Sequence, residues 1–210
     1  MILEQKVQNR TIVLASASPR RQELLARMGL AFTVQIPNID EESVSGLEPG
    51  ALVETLSQKK AHKIAQDCAA EALVIAADTV VVLDGTILGK PSSKEEAFLM
   101  LSSLSGRTHE VYTGVTVRQG DEFQSIHEIS SVRFRSLTEE EIRCYIATGE
   151  PMDKAGAYGI QGYGALLVSG LQGDYFNVMG LPVCRLGQIL SSFGIDALQL
   201  AAKREGGEFE

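Results

Sequence analysis

Leu73-Val-Ile-Ala-Ala-Asp-Thr-Val-Val-Val-Leu83 is the strongest strand signal in the chain. Asp84-Gly85 follows it as a two-residue hairpin turn of the I′ type, and Thr86-Ile-Leu88 returns as a second strand. Upstream, the short apolar run Thr11–Ala15 reads as a buried strand. It leads through Ser16-Ala-Ser-Pro-Arg-Arg21 into a helix with Ser18 as N-cap, Pro19 in the first turn and Gly29 as its stop. Phe32–Ile36 reads as another strand, followed by the acidic loop Asn38-Ile-Asp-Glu-Glu42, and Pro49 opens a helix to about Cys68. Downstream, two capping boxes, Ser93-x-x-Glu96 and Thr138-x-x-Glu141, start helices that end at Gly106 and Gly149. Between them, residues 108–118 and 123–135 alternate as an antiparallel hairpin. A glycine-punctuated loop spans 150–162, Ala165–Ser169 reads as a strand, Leu181–Phe193 as the last helix and Lys203–Glu210 as a polar tail. βα units mixed with hairpins predict an α/β fold with a mixed, twisted sheet flanked by helices.

The length of 210 residues suits one domain. No internal repeat or linker divides it, so the expected organisation is an N-terminal extension at 1–10, one domain at 11–195 and a C-terminal tail at 196–210. Apolar residues at 44% and charged residues at 22% exclude a disordered chain, a fibre and a disulfide-stapled miniprotein. No apolar run approaches the roughly 18 residues of a membrane span. Met1–Arg10 lacks the apolar core of a secretion signal, so a cytoplasmic location is expected. The net charge of −8 argues against a nucleic-acid partner, which a basic face would have to hold. The three cysteines, Cys68, Cys144 and Cys184, have no zinc-like spacing and read as buried or half-buried thiols. His62, His109 and His127 are isolated from any Ser or Cys nucleophile in the sequence.

Several residues break the pattern they sit in, which is where function tends to show. Asp78 interrupts the apolar strand run, where an unpaired carboxylate costs several kcal/mol. It is either satisfied by amides or an arginine, or it is a metal ligand or general base. Lys60 interrupts the row Leu56–Lys60–Ile64 on a helix face, and either snorkels outward or aims at an anion in a cleft. The strand–turn–helix at Ser16-Ala-Ser-Pro-Arg-Arg21 offers free amides and a helix dipole to an anion. Two arginines in that first turn oppose the dipole unless a phosphate neutralises them. Lys90-Pro91 places a cation on a rigid turn. Glu41 and Glu42 add carboxylates, and Glu150, Asp153, Lys154 and Gln161 bring polar groups to the glycine loop. Cations for phosphate oxygens beside carboxylates for Mg²⁺ or Mn²⁺ are what a polyphosphate–metal site requires.

Taken together, Ser16-Ala-Ser-Pro-Arg-Arg21, Lys60-Ala61, Ala77-Asp-Thr79, Gly89-Lys-Pro91, Ser105-Gly-Arg107, Tyr112-Thr-Gly114, Glu150-Pro-x-Asp-Lys-Ala-Gly156, Tyr158-Gly-Ile-Gln-Gly162 and Asn177-x-x-Gly-Leu-Pro182 resemble the Maf family of nucleotide pyrophosphatases, in order over about residues 11–195. The resemblance implies an elongated, two-lobed fold with a central cleft, related to inosine triphosphatases. It also implies a homodimer, a nucleoside triphosphate substrate and a divalent metal, Mg²⁺ or Mn²⁺. It makes Asp78 the catalytic base and a metal ligand with Glu41. Phosphate binding falls to Ser16, Ser18, Arg20, Arg21, Lys60 and Lys90. Arg20, Thr79 and Gln161 match the subgroup that acts on dTTP and UTP. The Gln161 amide, both donor and acceptor, suits the O2, N3–H and O4 edge of a pyrimidine. The alternatives are hydrolysis of 7-methyl-GTP or other modified nucleotides, and a nucleotide-binding regulator of cell division and septum formation.

Overall fold

In the computed structural model, which describes residues 10–41, 44 and 46–204, seven strands form one sheet. They are β1 (Ile12–Ala15), β2 (Thr33–Gln35), β3 (Leu73–Leu83), β4 (Thr86–Leu88), β5 (Thr108–Gln119), β6 (Glu122–Phe134) and β7 (Val168–Gln172). The order is β2-β1-β3-β5-β6-β7, with β4 also on β3. β1 pairs in parallel with β2 and β3, and every other pair is antiparallel. The sheet is therefore mixed. The turn at Asp84-Gly85 has φ of 49° and 78°, both positive as a I′ turn requires.

The helices are α1 (Pro19–Arg27), α2 (Pro49–Ala65), α3 (Lys94–Leu104), α4 (Glu139–Ala147), α5 (Tyr175–Met179), α6 (Val183–Ser192) and α7 (Ala197–Arg204). Side chains alternate across a strand, so β3 sends odd residues to one face and even residues to the other. On the odd face, Leu73, Ile75 and Ala77 pack with Leu24 and Leu25 of α1 and Leu186 and Leu190 of α6. Val81 and Leu83 pack instead with Leu101 of α3 and Ile142 and Ile146 of α4. On the even face, Val74 and Ala76 meet Ala61 and Ile64 of α2, and Val80 and Val82 meet Val53 near its start. α2 thus covers one face along the length of β3, while the other face is shared by two helix pairs that part near Asp78.

One edge of β3 has the same division. β1 pairs with Leu73–Ile75 and β4 with Val81–Leu83. Among the described residues, 76–80 have no strand partner on that edge. The two lobes join here through β3 and β5, and the cleft opens at this gap.

The structure shifts several expected boundaries. β2 is shorter than Phe32–Ile36, and α2 ends at Ala65 rather than Cys68. The strand expected at Ala165–Ser169 forms at Val168–Gln172, because Gly162–Leu167 coils into 3₁₀ turns. Pro182 caps α6, which starts at Val183 rather than Leu181. Two helices were not expected. α5 is capped by the Asp174 side chain, which accepts from Phe176 N. α7 occupies part of the expected tail, with Asp196 Oδ1 accepting from Gln199 N. The capping box at Thr138–Glu141 is complete, but at Ser93 only half forms. There the Glu96 carboxylate turns to Ser92 N and Oγ instead. Cys68 is half-buried, whereas Cys144 and Cys184 are exposed, which corrects the expectation of buried thiols. Most of the N-terminal extension, Glu42 and residues 205–210 lie outside the described residues. Among the described residues, no helix is long and apolar enough to cross a membrane.

Candidate active site

Asp78 is an even residue of β3, so its side chain faces α2, where Lys60 meets it. Lys60 Nζ donates to Asp78 Oδ1 at 2.5 Å and lies 2.7 Å from Glu41 Oε1. Asp78 is 8% exposed and Lys60 9%. The lysine therefore does not snorkel outward. Its ammonium satisfies the carboxylate that would otherwise be stranded in the strand. This contact depends on α2 lying close to the sheet. Asp78 is opposite Gly114 in the β3–β5 register, and a Cβ at 114 would lie 2.3 Å from Val53 O of α2. Burial alone would raise the Glu41 pKa. The hydrogen bond and charge of Lys60, with the charges of Lys90 and Arg21, outweigh it and hold the carboxyl below its usual range.

Thr79, the next residue, faces the opposite side and meets Arg21. The Arg21 guanidinium donates to Ala77 O and Gly180 O at 2.8 Å each, to Thr79 Oγ1 at 3.0 Å and to Ser16 Oγ at 3.4 Å. It ties the start of α1 to the gap in β3 and to the end of α5. Burial pulls its pKa down, and the charges of Asp78 and Glu41 pull the other way. Arg20, one residue earlier and about 100° away around the helix, points elsewhere. Its side chain is 29% exposed, and among the described residues its ion-pair contact is to Asp153 at 3.9 Å. Two arginines adjacent in sequence thus hold different positions: Arg20 is presented to the cleft, and Arg21 binds protein acceptors.

Ser16 and Ser18 are likewise engaged locally. Ser16 Oγ accepts from Ser18 N at 3.2 Å, and Ser18 Oγ caps α1 by accepting from Arg21 N. Lys90 is exposed on the cleft lining after β4, and Gln161 lines the cleft half-buried. The Lys154 ammonium is held within its own loop, on Glu150 O and Asp153 Oδ1 at 2.6 Å each.

The cleft has a volume of about 630 Å³ and brings together Ser16, Ser18, Arg20, Arg21, Glu41, Lys60, Asp78, Thr79, Lys90 and Gln161. Ile36, Leu56 and Met179 add apolar surface. Among the described residues, five basic side chains line it, Arg20, Arg21, Lys60, Lys90 and Lys154, against three acidic ones, Glu41, Asp78 and Asp153. A chain of net charge −8 therefore carries a locally cationic cleft.

Among the described residues, no group of three or more His, Cys, Asp or Glu side chains comes together as a metal cage. Asp78 and Glu41 are two hard oxygen donors bridged by one ammonium. That set fits a divalent ion of the Mg²⁺ type, which takes one or two carboxylates and completes its shell with phosphates and water.

Thr113 and Asn177, quoted in the motifs but given no role from the sequence, lie behind the cleft. Thr113 Oγ1 contacts Thr79 Oγ1 at 3.0 Å and donates to Asn177 O at 2.9 Å. The buried Asn177 Nδ2 donates to Val111 O and Ser130 Oγ. This network backs the Asp78–Thr79 step from β5 and α5. An Asn in the short apolar stretch before Gly180 was the available signal. His109 is buried with Nε2 2.7 Å from the Tyr158 hydroxyl, and His127 Nδ1 contacts Glu54 Oε1 at 2.6 Å.

A family profile described as Maf-like protein matches residues 11–193. The dTTP/UTP pyrophosphatase of Moorella thermoacetica is 55% identical over 187 residues, covering 88% of this chain and 96% of that protein. The dTTP/UTP pyrophosphatase of Symbiobacterium thermophilum is 51% identical over 183 residues, covering 87% and 94%. Among solved structures, the Ham1 protein of Staphylococcus aureus aligns at 18% identity with a TM-score of 0.46, covering 94% of this chain and 99% of that one. The profile spans the strand–turn–helix, the Asp78 strand and the glycine loop alike, and the chain belongs to the Maf family.

Proposed function

We propose that this chain hydrolyses dTTP and UTP to the nucleoside monophosphate and pyrophosphate, the activity for which its Moorella and Symbiobacterium relatives are named. The observation that carries the reading is the buried Asp78 carboxylate, held on Lys60 where the sheet opens into a cationic cleft. A compact triphosphate matches that excess of positive charge, and a long polyanion would meet the acidic exterior.

In this reading Arg20 and Lys90 take phosphate oxygens at the cleft wall, and Lys60 takes them from the floor. Asp78 accepts a proton from the water whose oxygen attacks the α-phosphorus. The bond from the α-phosphorus to the bridging oxygen breaks, and pyrophosphate leaves with that oxygen. Mg²⁺ or Mn²⁺, held by Asp78 and Glu41, supplies Lewis-acid charge stabilisation to the phosphate oxygens when bound. Arg21 and Thr79 keep the Asp78 backbone in place. Gln161 reads the base edge through its amide.

The test is a nucleotide panel scored for monophosphate and pyrophosphate, with Asp78→Asn beside the wild type. We expect dTTP and UTP to lead the panel. Asp78→Asn should lose about 10²–10⁴ in kcat while still binding nucleotide. Preference for 7-methyl-GTP, or tight binding without turnover, would replace this reading. Near-wild-type turnover in Asp78→Asn would remove Asp78 from the chemistry.

A further inference from the structure

Gln161 sits in a loop of 3₁₀ turns with no sheet partner, yet base reading requires its amide to be held in one place. Elsewhere the loop is held by Gly156 N donating to Gly89 O and by the Tyr158 hydroxyl on His109; around Gln161 its anchors are a carboxylate and a phenol outside the cleft. Glu150 Oε1 accepts from the Tyr145 hydroxyl at 2.9 Å and from Gly164 N at 3.1 Å, and Oε2 accepts from Tyr163 N at 3.0 Å. The Tyr145 oxygen in turn accepts from Gly159 N at 3.2 Å. Three backbone amides, one before Gln161 and two after it, thus end on a single two-residue unit. Neither Tyr145 nor Glu150 lines the cleft.

The glycine spacing is what this arrangement demands. Gly162 has φ of +64°, and a Cβ there would lie 2.6 Å from Glu150 Oε2. A Cβ at Gly164 would lie 2.0 Å from Gly159 O, across the loop, and 2.8 Å from the Tyr145 oxygen. The backbone can wrap the carboxylate only where no side chain intervenes. Burial pushes the Tyr145 hydroxyl above the ordinary phenol pKa, against the hydrogen bond from Gly159 and with that to Glu150, so it stays a donor.

We propose that Glu150 and Tyr145 are positioning residues for base selection: they fix the backbone on both sides of Gln161 and touch no part of the substrate. The role rests on the reading of Gln161 as the base-reading side chain. A carboxylate is required because both oxygens accept. A glutamine at 150 would turn its NH₂ toward the N–H of Tyr163 or of Gly164, donor against donor.

The experiment measures kcat and KM for UTP and for GTP in Glu150→Gln, Tyr145→Phe, Gln161→Ala and the Gln161→Ala/Glu150→Gln double variant. Glu150→Gln should lower the UTP-over-GTP ratio of kcat/KM by about tenfold, through KM, with kcat on UTP within about twofold of wild type. Tyr145→Phe keeps the buried ring and should lower the ratio about threefold, which retains the test if Glu150→Gln folds poorly. The double variant should be no less selective than Gln161→Ala alone, because a clamp has nothing left to position. Selectivity lost in Gln161→Ala but kept in Glu150→Gln and Tyr145→Phe overturns the clamp alone, as do losses that multiply in the double variant. Selectivity kept in Gln161→Ala overturns the base-reading role and the clamp with it.

Discussion

Arg20 and Arg21 are neighbours in one helical turn, and the structure predicts that replacing each with methionine has a different effect. The Arg21 guanidinium makes three hydrogen bonds of 2.8–3.0 Å, two of them to the carbonyls of Ala77 and Gly180. Methionine retains much of the side-chain volume but leaves both carbonyls without that donor, while Thr79 keeps its contact with Thr113. A buried acceptor left unsatisfied costs about 1–3 kcal/mol, offset in part by relief from burying the cation, so the net loss is about 3 kcal/mol. For a chain of this size, about 2–4 °C of Tm follows each kcal/mol, so Arg21→Met should melt roughly 6–12 °C below wild type. Among the described residues Arg20 makes a 3.9 Å ion-pair contact to a well-exposed Asp153, so Arg20→Met should move Tm by no more than about 1–2 °C. Its effect should appear instead as a higher KM for the nucleotide. Differential scanning calorimetry and steady-state kinetics on both variants make the comparison. An Arg21→Met protein that melts with wild type while its KM rises as in Arg20→Met would refute the reasoning, since the guanidinium would then be serving the substrate.

Three further outcomes follow from the same geometry. Lys60 bridges the two carboxylates suited to a divalent ion, so Mn²⁺ should bind the nucleotide-free protein weakly, and Lys60→Met should tighten that binding at least several-fold by electron paramagnetic resonance titration; unchanged affinity would mean the ammonium does not compete. Gly114→Ala places a methyl group against Val53 O, so α2 must lift from β3 and β5; stability should fall by about 1–3 kcal/mol in chemical denaturation, with activity falling further as Lys60 parts from Asp78. The imidazole of His109, 2% exposed, is lowered by burial to about 4 against an ordinary 6.5. The unfolded chain takes up the proton first, so stability is complete above about pH 6.5 and falls as pH drops toward 4, by about 3 kcal/mol in all; the slope should flatten in His109→Phe.

The strand carrying Asp78 was legible because a carboxylate within an apolar run is conspicuous at any register. Its hairpin turn and the Thr138 capping box were legible because their hydrogen bonds close within a few residues. α5 and α7 were not, being short and capped by single aspartates. β7 was misplaced because Gly162–Leu167 coils around Glu150, whose partners are backbone amides 13 and 14 residues away. Backbone amides carry no residue identity, so nothing in the sequence marks them as acceptors' partners.

By itself the sequence determined an α/β chain with a mixed sheet, the polar residues that interrupt its apolar pattern, and the ordered motifs that tie it to its family. These are local properties, written in periodicity, capping and residue type. Only the tertiary structure decided that Lys60 faces inward onto Asp78 and Glu41, that Arg21 holds the sheet gap while Arg20 faces the cleft, and that Glu150 and Tyr145 anchor the glycine loop. Each of those depends on the direction a side chain takes and on a partner distant in sequence, and both are set by how the helices pack on the sheet.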